Sequence, residues 1–350
     1  MPIVLTAADI SETRAAMAVH VNPDGTYNST KVAKELGVSR STAQNRIDIV
    51  KNRYFQAPKI PTKNRSVEEI RAHRRSESQR AREYEAGTKL LNVKIKTPGP
   101  VGFMAFGDPH IDNPGSDWDL FERHLAIAAK RPAYVFAGNI GDIRDNWVGR
   151  LTRLFSDHTI NSKESWALAE WVFRDAGVSW AWLIRGNHDE WSGDNDPLDW
   201  IARDGGVGVD QSHGARIAFH HPNGAVTRMH ARHDFQGNSI FNPLHALKRE
   251  TLHGYRDHII VAGHRHTGAD ARDMTGDGLV FTMCRISGYK ISDDYARQIG
   301  AHPKHLHPAA LFVVDPDKAD GDASRVWTAP DIETGVDYLD FLRRRFERKR

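Results

Sequence analysis

Four apolar runs in this chain stop in the same way. Phe103-Met104-Ala105-Phe106 meets Gly107-Asp108-Pro109-His110, and Ala133-Tyr134-Val135-Phe136-Ala137 meets Gly138-Asn139-Ile140-Gly141-Asp142. Trp182-Leu183-Ile184-Arg185 meets Gly186-Asn187-His188-Asp189, and Ile259-Ile260-Val261-Ala262 meets Gly263-His264-Arg265-His266. Short apolar runs bounded by glycine read as buried strands. A run that ends abruptly in Asp, Asn and His presents those side chains to a cleft instead of the core. Any one ending could be an ordinary turn; four of them are hard to ascribe to turn preference.

The spacing of apolar runs places strands at about 101 to 106, 133 to 137, 181 to 185, 215 to 220, 226 to 232, 258 to 262, 279 to 283 and 310 to 314. Helices are expected at 117 to 130 and 163 to 175, between the first three strands. Strand-helix alternation followed by closely spaced strands predicts an α/β domain whose second half is more antiparallel. With 350 residues, the chain has room for this domain and a small accessory one.

Charge separates the two. Residues 1 to 100 hold 18 Lys and Arg against 10 Asp and Glu, while residues 101 to 350 hold 30 against 35. A basic appendage on a mildly acidic body points to a polyanionic partner. Within it, a helical pattern over 7 to 20 ends at the turn cluster Asn22-Pro23-Asp24-Gly25. A second helix is expected with Ser29 as N-cap, then a break at Gly37. A third, capped by Ser39, would bury Ala43, Ile47 and Val50. Its outward face carries Arg40, Ser41, Gln44 and Asn45, residue types that contact phosphate and base edges. Residues 31 to 42 resemble the helix-turn-helix of bacterial and phage regulators and recombinases, which implies a nucleic-acid partner, DNA first; the alternative is a helical hairpin that docks a protein. The domains expected are 1-56 for this unit, 57-100 for a basic linker and helix, and 101-350 for the main domain. Ala57-Pro58-Lys59-Ile60-Pro61 marks the linker, Ser66 to Ala86 reads as a polar, exposed helix, and Pro98-Gly99-Pro100 closes the region.

In their order, Asp108-x-His110, Gly141-Asp142-x-x-Asp145, Gly186-Asn187-His188-Asp189 and Gly263-His264-x-His266 resemble the motifs of calcineurin-like metallophosphoesterases, over roughly residues 101 to 315. The resemblance implies a two-sheet β-sandwich flanked by helices, with a dinuclear metal centre at its strand ends, and a small all-α N-terminal domain beside it. It implies that Asp108, His110 and His266 hold one metal, that Asn187 and His264 hold the other, and that Asp142 bridges them. A further histidine is implied for the second metal. His230 and His233 both qualify and lie on opposite faces of one strand; His233, at the strand end, is favoured. His188 would stabilise the phosphoryl charge or protonate the leaving oxygen, with Asp189 as its orienter. Asp112 and Asp145 are expected to support ligands, and Arg144 and Asn146 either to touch phosphate or to be an exposed loop pair. Imidazole, carboxylate and carboxamide without thiolate suit Mn, Fe or Zn.

The resemblance implies phosphoester hydrolysis without fixing the substrate; the appended helix-turn-helix and basic arm make a phosphodiester in DNA the expected one, with a DNA-binding regulator whose phosphoesterase domain is non-catalytic, or a small-molecule or protein phosphatase, as the alternatives. One cysteine, Cys284, leaves no intramolecular disulfide, and no apolar run reaches the roughly 20 residues that span a bilayer. A cytoplasmic protein without membrane contact is the expectation, and a homo-oligomer is compatible with it.

Overall fold

A computed structural model of the chain describes residues 5–51, 64–193, 196–291, 300 and 306–350. The expected proline linker at 57 to 61 lies outside the described residues. The chain divides into two compact units, residues 1–77 and 78–350.

In the first unit, helices α1 (Ala7–Val19), α2 (Ser29–Glu35) and α3 (Arg40–Val50) enclose a small core of Ala16, Met17, Val32, Ala33, Ala43 and Ile47. Thr6 and Asp9 form a reciprocal cap on α1, and Ser39 caps α3 by accepting from Thr42 N. The cap of α2 is Asn28, not Ser29; the amide oxygen accepts from Lys31 N and Ser29 is the first helical residue. Gly37 turns the chain between α2 and α3 at φ +63°, a conformation that favours glycine. Arg40, Ser41, Gln44 and Asn45 are exposed along α3. Helix α4 (Val67–Thr88) buries no residue, as expected from its lack of an apolar stripe.

The second unit is built on two mixed six-stranded sheets, of order β12-β11-β2-β3-β4-β5 and β1-β6-β7-β8-β10-β9. The first contains β2 (Val101–Phe106), β3 (Val135–Asn139), β4 (Trp180–Arg185), β5 (Val209–Ser212), β11 (Ala309–Val314) and β12 (Val326–Thr328). The second contains β1 (Leu91–Lys94), β6 (Gly214–His220), β7 (Val226–Arg232), β8 (Ile259–Ala262), β9 (Ala269–Met274) and β10 (Val280–Arg285). Phe103, Trp182, Phe219, Met229, Val261 and Phe312 fill the space between the sheets, with Phe103 and Phe219 stacked 4.2 Å apart across it. Helices α5 (Trp118–Ala129) and α6 (Ser162–Arg174) and the C-terminal helix Ile332–Glu347 cover the outer face of the first sheet; the helix His245–His253 covers part of the second. A strand sandwiched this way is buried on both faces, and every residue of β2, β8, β10 and β11 is.

One expectation changes: Leu91–Lys94, inside the stretch expected to be linker, is an edge strand parallel to β6. The second half is more antiparallel than the first, as expected, with β6–β7, β9–β10, β11–β2 and β11–β12 all antiparallel. Its exceptions are β7, β8 and β10, which pair in parallel because the connection from β7 to β8 runs through the helix His245–His253 and β9 lies between β8 and β10 in sequence. No helix among the described residues is long and apolar enough to cross a membrane.

Candidate metal centre

The carboxyl ends of β2, β3, β4, β7 and β8 lie together, and the residues just past them form the site. This is where open α/β sheets place ligands, because the loops leaving parallel strands diverge there. Asp108, His110, Asp142, His264 and His266 all have positive φ, between 42° and 68°. Non-glycine residues rarely adopt that conformation, and it concentrates at functional sites where the surroundings hold it.

Glycines let the loops close. A Cβ on Gly186 would lie 2.1 Å from Asp142 Oδ1, one on Gly263 2.2 Å from Asp108 Oδ2, and one on Gly141 2.3 Å from His233 Nδ1. The glycines that end the strands are thus the places where backbone touches the carboxylates and imidazoles of the site.

Ligand-type atoms of Asp108, His110 and His266 lie within 4.8 Å of one another, and so do those of Asp142, His233 and His264. His233 Nδ1 lies 2.9 Å from Ile140 O and donates to it, which leaves the lone pair on Nε2. That Nε2 lies 3.0 Å from Asn187 Oδ1, 3.2 Å from Asp142 Oδ2 and 3.0 Å from His264 Nδ1. Acceptors crowded around Nε2 in this way call for a positive charge there, whether a proton or a metal ion. Burial disfavours charge on His233, yet Asp142 and Asp108 push its pKa up to about 10. Asp108 is itself pushed up to about 6 by burial, with Asp142 adding to the shift and His233 and His110 opposing it. Burial also opposes the charge on Asp142, but His233, His188 and His110 outweigh it and hold its pKa well below the usual carboxylate range.

The first group shows the same deficit in another form. Asp108 Oδ1, His110 Nε2 and His266 Nδ1 are buried and have no hydrogen-bond partner among the described residues. Buried polar atoms are rarely left so. Two carboxylates, four imidazoles and one carboxamide, with no thiolate, fit a pair of divalent ions.

Around these donors sits a supporting layer. His110 Nδ1 lies 2.6 Å from Asp145 Oδ1, a placement that turns Nε2 toward Asp108 and His266. Asp145 also meets Lys290 Nζ at 2.8 Å and Asn113 Nδ2 at 2.6 Å, and its own amide donates to Asp112 Oδ1 at 2.7 Å. His188 Nδ1 is held by the carbonyl of Asp145, so its Nε2 faces the site, 3.8 Å from Asp142 Oδ2. Trp147 and Trp191 pack on the His188 ring, and burial pushes its pKa down to about 4.

The structure brings Asp108, His110, Asp142, Asn187, His188, His233, His264 and His266 together. It separates His230, which lies beside Glu250 and Phe235 on the other face of β7. Asp189 does not orient His188. Its carboxylate accepts from Asp142 N, Ile143 N and Gly186 N and so ties two strand-end loops together. Arg144 is buried between Ser165, Asp112 and the Trp166 ring, so it is not an exposed loop residue, and Asn146 donates to His188 O and Ser192 Oγ. His158, which contacts Asp145, and the two tryptophans had no sequence signal, because each is an ordinary residue in an irregular loop.

The helix-flanked two-sheet sandwich and the donor set at its strand ends match the architecture and centre that the motif resemblance implied. No protein-family model and no curated protein matches the chain. Among solved structures, it is similar to a calcineurin-like phosphoesterase of Bacillus subtilis at 11% identity, covering 70% of this chain and 100% of that one, with a TM-score of 0.35. It is also similar to zinc-bound Vps29 of Entamoeba histolytica at 12% identity, over 65% of this chain and 97% of that one, TM-score 0.35. A predicted phosphoesterase of Streptococcus pneumoniae aligns at 12% identity over 67% and 100%, TM-score 0.27. At these scores the functional reading rests on the site's own geometry.

Proposed function

We propose that the chain is a dinuclear-metal phosphoesterase that hydrolyses phosphodiester bonds, with DNA as the substrate and Mn, Fe or Zn as the metal. The observation that carries the reading is the convergence of seven donors from five strand-end loops, with His188 beside them. Two divalent ions in such a site supply a nucleophile near neutral pH and clamp the charge of a phosphoryl group.

The chain's own residues then divide the work. Asp108, His110 and His266 would hold one ion and Asn187, His233 and His264 the other, with Asp142 available to both. His188, fixed through Nδ1 by the Asp145 carbonyl, presents Nε2 toward Asp142, where it accepts a proton or, once protonated beside an anionic phosphoryl group, donates to it. Trp147 and Trp191 shield this ring from water on the sides they cover. The arginines of α4 and the exposed face of α3 are offered to phosphate and base edges, which supports DNA over a small ester.

The test is hydrolysis of an aryl phosphodiester, an aryl phosphomonoester, and single- and double-stranded DNA with added Mn, by wild type, Asp142→Asn and His188→Ala. DNA cleavage lost in both variants supports the proposal. Turnover of the small esters with DNA left intact moves the substrate to a small molecule or protein. DNA binding without any turnover leaves a DNA-binding regulator.

A further inference from the structure

Lys290 is a buried cation that no donor set requires. It is 4% exposed, and it enters from the loop after β10, in the second sheet, to meet Asp145 from the loop after β3, in the first. Its backbone is fixed. Lys290 bridges Ser116, Ile291 N donates to Gly115 O, and Asp117 N donates to Tyr289 O. Two residues earlier, Gly288 at φ +73° passes so close to Asp108 that a Cβ there would lie 2.8 Å from Asp108 Cβ and carbonyl oxygen. This strap therefore runs beneath the loop that carries Asp108 and His110.

Asp145 is the hub of what the strap supports. Oδ1 meets both His110 Nδ1 and Lys290 Nζ; Oδ2 meets Asn113 Nδ2 and His158 Nε2. A carboxylate with no exposure needs a fixed countercharge to keep one orientation. Among its contacts, Lys290 alone carries a positive charge that depends on neither a histidine proton nor a metal. The carboxylate in turn aims the His110 ring. Among the described residues, Asp145 reaches the Asp142-His233-His264 group only through its backbone carbonyl, which holds His188 beside Asp142, and its carboxylate makes no direct hydrogen bond or ion pair to that group.

We infer that Lys290 is a positioning residue for one metal position only: through Asp145 it orients His110 and so sets affinity at the Asp108-His110-His266 group, leaving the other group unaffected. The inference rests on the proposed dinuclear centre. Loss of a residue that orients a metal ligand typically lowers metal affinity about 10- to 100-fold.

The experiment is equilibrium dialysis of the full chain against Mn, with metal analysis, alongside the melting temperature of the metal-free protein. Wild type is expected to bind two equivalents. Lys290→Met is expected to keep one equivalent at wild-type affinity and to weaken the other about 10- to 100-fold, with Lys290→Arg restoring most of it. Lys290→Gln, which retains a donor for Asp145 without the charge, carries the test if the Met variant does not fold. Two unchanged equivalents in the variants overturn the inference alone. Equal weakening of both, or failure of both Met and Gln variants to fold, reduces Lys290 to a general structural role and also overturns it. Wild type that binds no Mn refutes the centre itself, and the inference with it.

Discussion

Replacing Gly186 with alanine adds one methyl group where two ligands meet. The new Cβ would lie 2.1 Å from Asp142 Oδ1, 2.7 Å from His233 Cε1 and 2.8 Å from Asp142 N. Ordinary non-bonded contact needs about 3.5 Å, so the Asp142 loop and the His233 ring must withdraw by roughly 1 Å. Neither can do so cheaply. The His233 ring is held by Ile140 O, and the Asp142 backbone by Asp189. Overpacking of this kind costs about 1–3 kcal/mol of stability, while a displacement near 1 Å at reacting groups costs about 100-fold in rate. Gly186→Ala should therefore remain folded, melt a few degrees lower, and hydrolyse an aryl phosphodiester about 100-fold more slowly with Mn saturating. Wild-type turnover with an unchanged melting temperature would refute the reasoning, since it would mean that the two ligands are not held where they lie.

His233→Ala should lose an equivalent of Mn and turnover together, whereas His230→Ala, on the opposite face of β7, should keep both; metal analysis of the two variants checks this, and the reverse pattern would exchange their roles. Acid should destabilise the fold through His124, whose pKa burial pushes down to about 4 from 6.5. The unfolded chain binds that proton more readily, so the stabilising contribution is complete above about pH 6.5 and is lost as pH falls toward 4. Melting temperature should accordingly fall from pH 7 to 4.5, and less steeply in His124→Gln; parallel slopes would contradict the assignment. Arg40→Ala and Gln44→Ala in the full chain should weaken DNA binding, with Arg40→Ala reducing the salt dependence by about one counterion. Unchanged binding in both would remove α3 from the interface.

What the sequence disclosed, and what it hid, follows one physical line. The interior strands β2, β3, β4, β6, β7, β8, β10 and β11 carry apolar runs because both faces or one full face are buried, and their positions were legible to within a few residues. The four unforeseen strands, β1, β5, β9 and β12, are the four edges of the two sheets. Leu91-Asn92-Val93-Lys94 and Ala269-Asp270-Ala271-Arg272-Asp273-Met274 alternate polar and apolar residues, as edges open to water do, and Val326–Thr328 is only three residues long. Six of the donors were legible because each comes within three residues of a glycine that ends such a run; His233 follows β7 with no glycine, so the sequence left it open against His230. Asp189 was misread because its neighbour His188 invited a pairing, while its three backbone donors are brought together only by folding. The contact of Lys290 has no local sequence signal, since nothing nearby announces a lysine that meets its carboxylate across the gap between two sheets.

The most direct test of the account is metal-dependent turnover of an aryl phosphodiester by the full chain, measured after chelation and after return of Mn, beside Asp142→Asn. The account predicts activity that disappears with chelation, returns with two equivalents of Mn, and is absent from the variant at any Mn concentration. Activity that survives chelation, or an Asp142→Asn protein as active as wild type, would contradict it.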